Sequence, residues 1–292
     1  MSQFEQTWTA LITPFHNQQV DFDSLRKLVK FQLDGGVSGF VISGTTGESP
    51  TLNTEEKKKI FDFVKSEVAG AVPLIVGTGT NSTSETVELS KKATSWGADG
   101  ILVVVPYYNK PPQRGLVQHY QAVSQSTRLP ILLYNVPGRT VAALALDSIY
   151  QLSKEKNIVG IKEATGDVAF GKQILDKCGS SFLLSSGDDG TAIDLALQGA
   201  RGVISVLSHV IPKEFSELFE RATKKDSTAS GDFKKYKVLT DKLFCEANPI
   251  PVKAALQMMG IIKSDELRLP LSAMKEDLRK ELQKEMKACG LL

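Results

Sequence analysis

The sequence predicts an α/β protein, a (β/α)8 TIM barrel followed by a C-terminal helical appendix. Three observations carry this reading. Short apolar runs alternate with longer amphipathic ones along most of the chain, eight runs of the first kind can be counted, and a Gly-x-x-Gly string recurs where an amphipathic stretch gives way to an apolar run. Eight βα units of about 30 residues account for the roughly 250 residues of such a barrel. The rival, an open doubly wound sheet, calls for Gly-x-Gly-x-x-Gly after its first strand, and the sequence has none there.

In order, the strand candidates are Thr9 to Ile12, Gly39 to Ile42, Leu74 to Val76, Ile101 to Val105, Ile131 to Tyr134, Val159 to Ile161, Phe182 to Leu184 and Gly202 to Val206. Between the first two, Asp23 to Leu33 places Leu25, Leu28, Val29 and Leu33 on one helical face, with Asp21 or Asp23 as N-cap candidates. Thr54 to Val68 does the same with Ile60, Phe61, Val64 and Val68; Asn53 or Thr54 can cap it, and Glu55 and Glu56 suit the positive end of its dipole. The strings Gly36-Val37-Ser38-Gly39, Gly97-Ala98-Asp99-Gly100 and Gly199-Ala200-Arg201-Gly202 each end a helix and open a strand. Their first glycine suits a left-handed C-cap and their second a close helix–strand approach.

After the eighth strand the pattern turns helical throughout. Lys213 to Lys224 fits the last barrel helix, Thr228 to Asp232 reads as a polar break, and Phe233 to Phe244, Pro251 to Met259 and Ser272 to Ala288 read as three further helices. The expected division is a catalytic barrel over residues 1–226 and a helical region over 227–292, packed on the barrel or on a neighbouring copy.

With 41% hydrophobic and 23% charged residues, the chain has the composition of a folded globular protein. Its 35 basic and 33 acidic residues are dispersed, which leaves no electrostatic footprint for nucleic acid. Cys178, Cys245 and Cys289 are odd in number and widely spaced, against a disulfide framework or a zinc site and in favour of a reducing cytoplasm. The first residues show no basic-then-apolar leader, and no apolar run approaches a membrane span, so neither export nor membrane insertion is expected.

Three apolar runs deliver chemical groups at their C-terminal tips, where parallel α/β folds place their chemistry. Val159-Gly160-Ile161-Lys162-Glu163 ends in an amine, Leu132-Leu133-Tyr134-Asn135 in a phenol, and Val41-Ile42-Ser43-Gly44-Thr45-Thr46-Gly47-Glu48 in hydroxyls. A lysine withdrawn from water in a barrel mouth favours the neutral amine, which attacks carbonyls to form a Schiff base. Forming and collapsing the carbinolamine needs proton transfers, and Tyr134, Tyr108 and Thr45 supply neutral hydroxyls for them. The glycine-flanked Gly44–Glu48 segment reads either as a backbone nest for a carboxylate or as an ordinary capped turn. Arg139, one short loop beyond Tyr134, suits bidentate carboxylate recognition or simple solvation. Asp188 and Asp189 have no third ligand at suitable spacing, and helix capping by Asp188 or Asp189 explains them, so no metal is expected. Of the scattered His16, His119 and His209, His119 falls in a helical pattern and reads as a packing or surface residue.

Taken together, Gly44-Thr45-Thr46-Gly47-Glu48-Ser49, Pro106-Tyr107-Tyr108-Asn109, Tyr134 to Thr140, Gly160-Ile161-Lys162-Glu163-Ala164, Ser186-Gly187-Asp188-Asp189 and Asn248 to Lys253 resemble the 4-hydroxy-tetrahydrodipicolinate synthase (dihydrodipicolinate synthase) family. The resemblance runs from Trp8 to Leu292 and places the chain in the superfamily that includes N-acetylneuraminate lyase. It implies that Lys162 forms the Schiff base with pyruvate, and that Thr45, Tyr134 and Tyr108 relay protons, Tyr108 from an adjacent subunit. It further implies that Thr45 and Thr46 hold the pyruvate carboxylate, that Gly187 and Ile204 line the pocket, and that Arg139 receives the carboxylate of L-aspartate 4-semialdehyde. No cofactor is implied, and the expected assembly is a homodimer or a dimer of dimers (a homotetramer). Some family members are inhibited by lysine through a cleft at the tight dimer interface. Ser49, Asn81, Glu85 and Tyr107 stand at its matching positions, but Thr54 and Lys57 replace histidines common in lysine-sensitive relatives, so weak or no inhibition is expected.

Two alternatives remain at this point. A sialic acid or 2-keto-3-deoxy-sugar lyase of the superfamily shares the lysine and the first tyrosine but generally has a smaller or polar residue where Arg139 stands. A non-catalytic keto-acid sensor has no need of the full relay.

Overall fold

The computed structural model describes residues 3–292. Among these residues eight parallel strands close into a barrel in chain order: β1 (Gln6–Ala10), β2 (Gly39–Ile42), β3 (Leu74–Gly77), β4 (Gly100–Val104), β5 (Ile131–Asn135), β6 (Ile158–Glu163), β7 (Leu183–Ser186) and β8 (Gly202–Ser205). Closure is made where β1 pairs with β2 on one side and β8 on the other. The helices α1 (Phe22–Asp34), α2 (Thr54–Val68), α3 (Thr83–Trp96), α4 (Gln113–Ser126), α5 (Leu146–Leu152), α6 (Val168–Cys178), α7 (Ala192–Gln198) and α8 (Pro212–Thr223) follow the strands in turn. A small antiparallel hairpin, Phe15–His16 with Gln19–Val20, lies between β1 and α1.

Strand alternation divides the apolar side chains into two cores. Trp8, Val41, Ile75, Leu102, Leu132, Leu183 and Ile204 fill the barrel, while Phe40, Val76, Ile101, Leu133, Ile161 and Leu184 face the helices. The recurrent glycine strings serve both expected purposes. Gly97 takes φ +78° and caps α3, its N–H donating to the carbonyls of Ala93 and Thr94. A Cβ at Gly39 would stand 2.5 Å from the Trp8 ring, so the bare backbone is what admits the largest side chain of the barrel interior. Asp21 caps α1 through Ser24 N–H, and Asn53 with Glu56 forms a reciprocal capping box at α2.

Most boundaries fall within two residues of expectation, and four places differ by more. The first strand lies three residues earlier than its apolar run, because Trp8 and Ala10 make the ladder's inward face while Leu11 and Ile12 pack in the outer core beyond it. The polar stretch at Thr228 is not a break but a helix, α9 (Thr228–Phe233). Ala229 and Phe233 bury against α8, and the Arg221 guanidinium holds Asp226, Thr228 and Asp232, so tertiary contacts override a weak local pattern. The expected helix from Phe233 splits into a 3-10 turn, Lys234–Tyr236, and α10 (Lys237–Leu243). The last helix, α12 (Glu276–Ala288), starts four residues late, beyond Ser272. Helix α11 (Ile250–Met258) packs with α12, and Leu239, Leu256, Leu282 and Met286 belong to the same core as the barrel's outer face. No helix among the described residues is long and apolar enough to cross a membrane.

Candidate active site

Strands β5 and β6 pair with Tyr134 opposite Lys162 and Asn135 opposite Glu163, and Lys162 is in turn opposite Ser185 of β7. Alternation sends Tyr134 and Lys162 into the barrel and their neighbours outward. The Lys162 Nζ lies 4.4 Å from the centroid of the Tyr134 ring, and both residues are 6% exposed. Room for the lysine comes from Gly187, where a Cβ would stand 2.8 Å from Lys162 Cε and 2.7 Å from Ala164 Cβ. No described carboxylate forms an ion pair with Lys162. A buried amine set over a phenol at a strand tip is placed for nucleophilic attack on a carbonyl.

Behind this pair lies a polar row that sequence reasoning missed. Glu163 Oε2 accepts from Asn135 Nδ2 at 2.8 Å and its Oε1 from the Thr165 N–H at 2.6 Å, while Asn135 Oδ1 accepts from the Leu144 N–H at 3.0 Å. Burial raises the Glu163 pKa, and these hydrogen bonds oppose the rise. The only sequence signal was a polar residue after each inward-facing tip, Asn135 after Tyr134 and Glu163 after Lys162.

The tip of β2 turns sharply: Ser43 and Glu48 take φ +54° and +55°, and the Gly47 and Ser49 N–H groups both donate to the Gly44 carbonyl. This turn presents Thr45 to the mouth. Thr46 is buried beneath it, its Oγ1 accepting from Asn248 Nδ2 at 2.8 Å. Arg139, on the short helical turn Pro137–Thr140, donates to the Asn248 carbonyl at 3.3 Å. Asn248 thus joins two sequence-expected residues, though no role had been assigned to it. Of the two cap candidates it is Asp188 that accepts from the N–H and hydroxyl of Thr191 ahead of α7, while Asp189 accepts from the Val206 and Leu207 N–H groups and ties the loops after β7 and β8 together.

A cleft of about 440 Å³ opens above the barrel, and Thr45, Tyr134 and Arg139 share its walls with Ser49, Glu85 and Tyr107. Lys57 also lines it; burial lowers this amine's pKa, and Glu85 pulls it the other way. Asn81 stands outside the lining, its carbonyl accepting from Asn109 Nδ2 at 3.0 Å. Ile204 packs within the barrel among Trp8, Tyr134 and Val136. Tyr108 does not reach the cleft of its own chain: it takes φ +73° and is 85% exposed.

The Dihydrodipicolinate synthetase family matches residues 3–289 of this sequence. The chain belongs to that family. It is 52% identical to the 4-hydroxy-tetrahydrodipicolinate synthase of Bdellovibrio bacteriovorus, over the whole of both chains, and 46% identical to that of Pseudomonas putida over 97% of each. Its fold matches the crystal structure of dihydrodipicolinate synthase from Thermotoga maritima with a TM-score of 0.97 at 43% identity, covering 99% of this chain and all of the other. An equal TM-score and identity relate it to the chloride-inhibited dihydrodipicolinate synthase of Acinetobacter baumannii in complex with pyruvate, over 99% of this chain and 100% of that one. Family membership accounts for the barrel and for its C-terminal helices alike.

Proposed function

We propose that this chain condenses pyruvate with L-aspartate 4-semialdehyde to give 4-hydroxy-tetrahydrodipicolinate, at the start of the diaminopimelate and lysine route. The observation that carries the reading is the unpaired, buried Lys162 amine over the Tyr134 ring, beside a cleft shared by Thr45 and Arg139. Relatives named for this activity, matched along their full length, support it.

In this reading the Lys162 amine adds to the C2 carbonyl of pyruvate, and water leaves as the Schiff base forms. Loss of a C3 proton gives the enamine, which attacks the aldehyde carbon of the semialdehyde. The substrate's own amine then displaces Lys162 from C2, closing the ring and returning the enzyme's amine. Tyr134, Thr45 and Tyr108 of the partner subunit pass the protons, while Thr45 and Thr46 meet the pyruvate carboxylate. Gly187 and Ile204 shape the pocket, and Arg139 takes the semialdehyde carboxylate, a contact that a sugar aldehyde cannot offer. The assembly is a homo-oligomer. The free thiols of Cys178, Cys245 and Cys289 suit a cytoplasmic setting.

Borohydride reduction in the presence of pyruvate is expected to trap an adduct on the peptide containing Lys162, and label on another lysine would refute the assignment. A coupled assay with pyruvate should turn over aspartate semialdehyde and reject sugar aldehydes; the reverse preference would make the chain a sugar lyase.

A further inference from the structure

The turn that presents Thr45 and Thr46 ends at Glu48, a non-glycine residue in the left-handed region at φ +55°. Glycine would take this conformation without strain, so the backbone offers no reason for a glutamate there. The side chain does. It is wholly buried, with Oε1 bound by Lys253 Nζ and Oε2 accepting from the Arg268 N–H at 3.1 Å. Lys253 is itself fully buried on α11, between barrel and C-terminal helices; its Nζ also donates to the Glu266 carbonyl at 2.8 Å and lies 4.2 Å from the centre of the Phe15 ring. Arg268 covers the same ring at 4.4 Å and continues to Glu56 in the capping box of α2.

Glu48 is also tied to the site through its backbone, its N–H donating to the Thr45 carbonyl at 3.1 Å. A second grip from the same segment is the Asn248 amide on Thr46, five residues before Lys253. The C-terminal helical region therefore holds the turn at two points, one neutral and one ionic. We infer that Lys253 is a positioning residue for the pyruvate step: through its ion pair with Glu48 it fixes the turn on which Thr45 and Thr46 meet the substrate carboxylate. Lys253 itself touches no substrate. This inference rests on the reading of Lys162 and pyruvate given above.

The test must separate positioning from mere stability, because a lone Glu48 carboxylate left buried by Lys253→Met is destabilising whatever its role. The double variant Glu48→Gln/Lys253→Met buries no charge and carries the decision. Two quantities are read for each variant: the thermal midpoint, and the pyruvate concentration that half-saturates borohydride-trapped adduct on Lys162. The double variant is expected to regain most of the midpoint lost by Lys253→Met yet to need roughly tenfold more pyruvate, since small displacements of positioning groups carry costs of that order or more. Lys253→Arg, which keeps the charge, should bring half-saturation back towards wild type. A folded double variant with wild-type half-saturation would overturn the inference alone. Absence of any adduct in the wild-type chain would overturn the functional reading, and this inference with it.

Discussion

Gly187 shows how little chemistry a candidate site residue needs. Its missing methyl is the space through which the Lys162 side chain passes, so the contribution is steric and lies entirely in what is absent. Arg139 is the opposite case, a charge with a defined direction but, among the described residues, one long side-chain hydrogen bond, at 3.3 Å to the Asn248 carbonyl. Most of its hydrogen-bonding capacity is therefore free for a ligand. Arg139→Ala is expected to lower kcat/KM for aspartate semialdehyde by the equivalent of roughly 1.5 to 3 kcal/mol, the worth of a charge-assisted hydrogen bond, while pyruvate adduct forms on Lys162 as before. Equal loss of both would mean that Arg139 shapes the site rather than receiving the second substrate.

The barrel seam depends on one short 3-10 turn, Leu207–His209, after β8. His209 Nε2 accepts from the Ile12 N–H at 3.2 Å, which leaves the proton on Nδ1 to be donated to the Val206 carbonyl; Gln32 of α1 donates to the His209 carbonyl. The ring is neutral in this arrangement, and burial lowers its pKa from 6.5 to about 4. His119, packed against Tyr120 and hydrogen-bonded to Thr83, is lowered to about 4 for the same reason. Both folded values lie below the unfolded one, so between pH 6.5 and 4 the unfolded chain binds more protons and stability falls as the pH falls. Each histidine can add a slope of up to about 1.4 kcal/mol per pH unit. Glu163 and Asp189, raised by burial, act in the opposite sense. Urea midpoints at fixed protein concentration should therefore show a shallower acid decline for His209→Gln than for wild type across this window. Parallel declines would show that His209 is already protonated in the fold.

Helix α2 carries a second expectation for its cleft-facing side. Lys57 shares the lining with Glu85, Ser49 and Tyr107, where the ammonium of a bound L-lysine would meet a like charge at a cost of around 1 kcal/mol or more. Inhibition by L-lysine should be weak or absent, and Lys57→His should gain sensitivity. Inhibition of the wild-type enzyme at submillimolar lysine would reject this account.

For the whole molecule, the exposed Tyr108 is the strongest reason to expect that one chain is not a complete enzyme. A tyrosine 85% exposed and outside its own cleft cannot relay protons there, but a two-fold arrangement could bring it to a neighbour's. Mixing inactive Lys162→Ala with inactive Tyr108→Phe should restore up to roughly a quarter of wild-type activity, because half of the random dimers are mixed and each of those holds one intact site. Mixed dimers without activity would place the tyrosine outside the relay.

Local periodicity was enough to place all eight strands, both capped helices and the tips bearing Lys162, Tyr134 and Thr45, because each element's burial is written in its own spacing of apolar residues. The grip of Asn248 on Thr46 and of Lys253 on Glu48 was not legible in that way, nor was the helix at Thr228. Partners 202 and 205 residues apart meet only once the barrel has closed and the C-terminal helices have packed on it. A polar side chain in a helical pattern carries no mark of which distant group will neutralise it. The sequence decided the barrel and the placing of Lys162 at a strand tip; only tertiary packing decided what holds the turn bearing Thr45 and Thr46, since buried charges and amides are satisfied by geometry and not by neighbours along the chain.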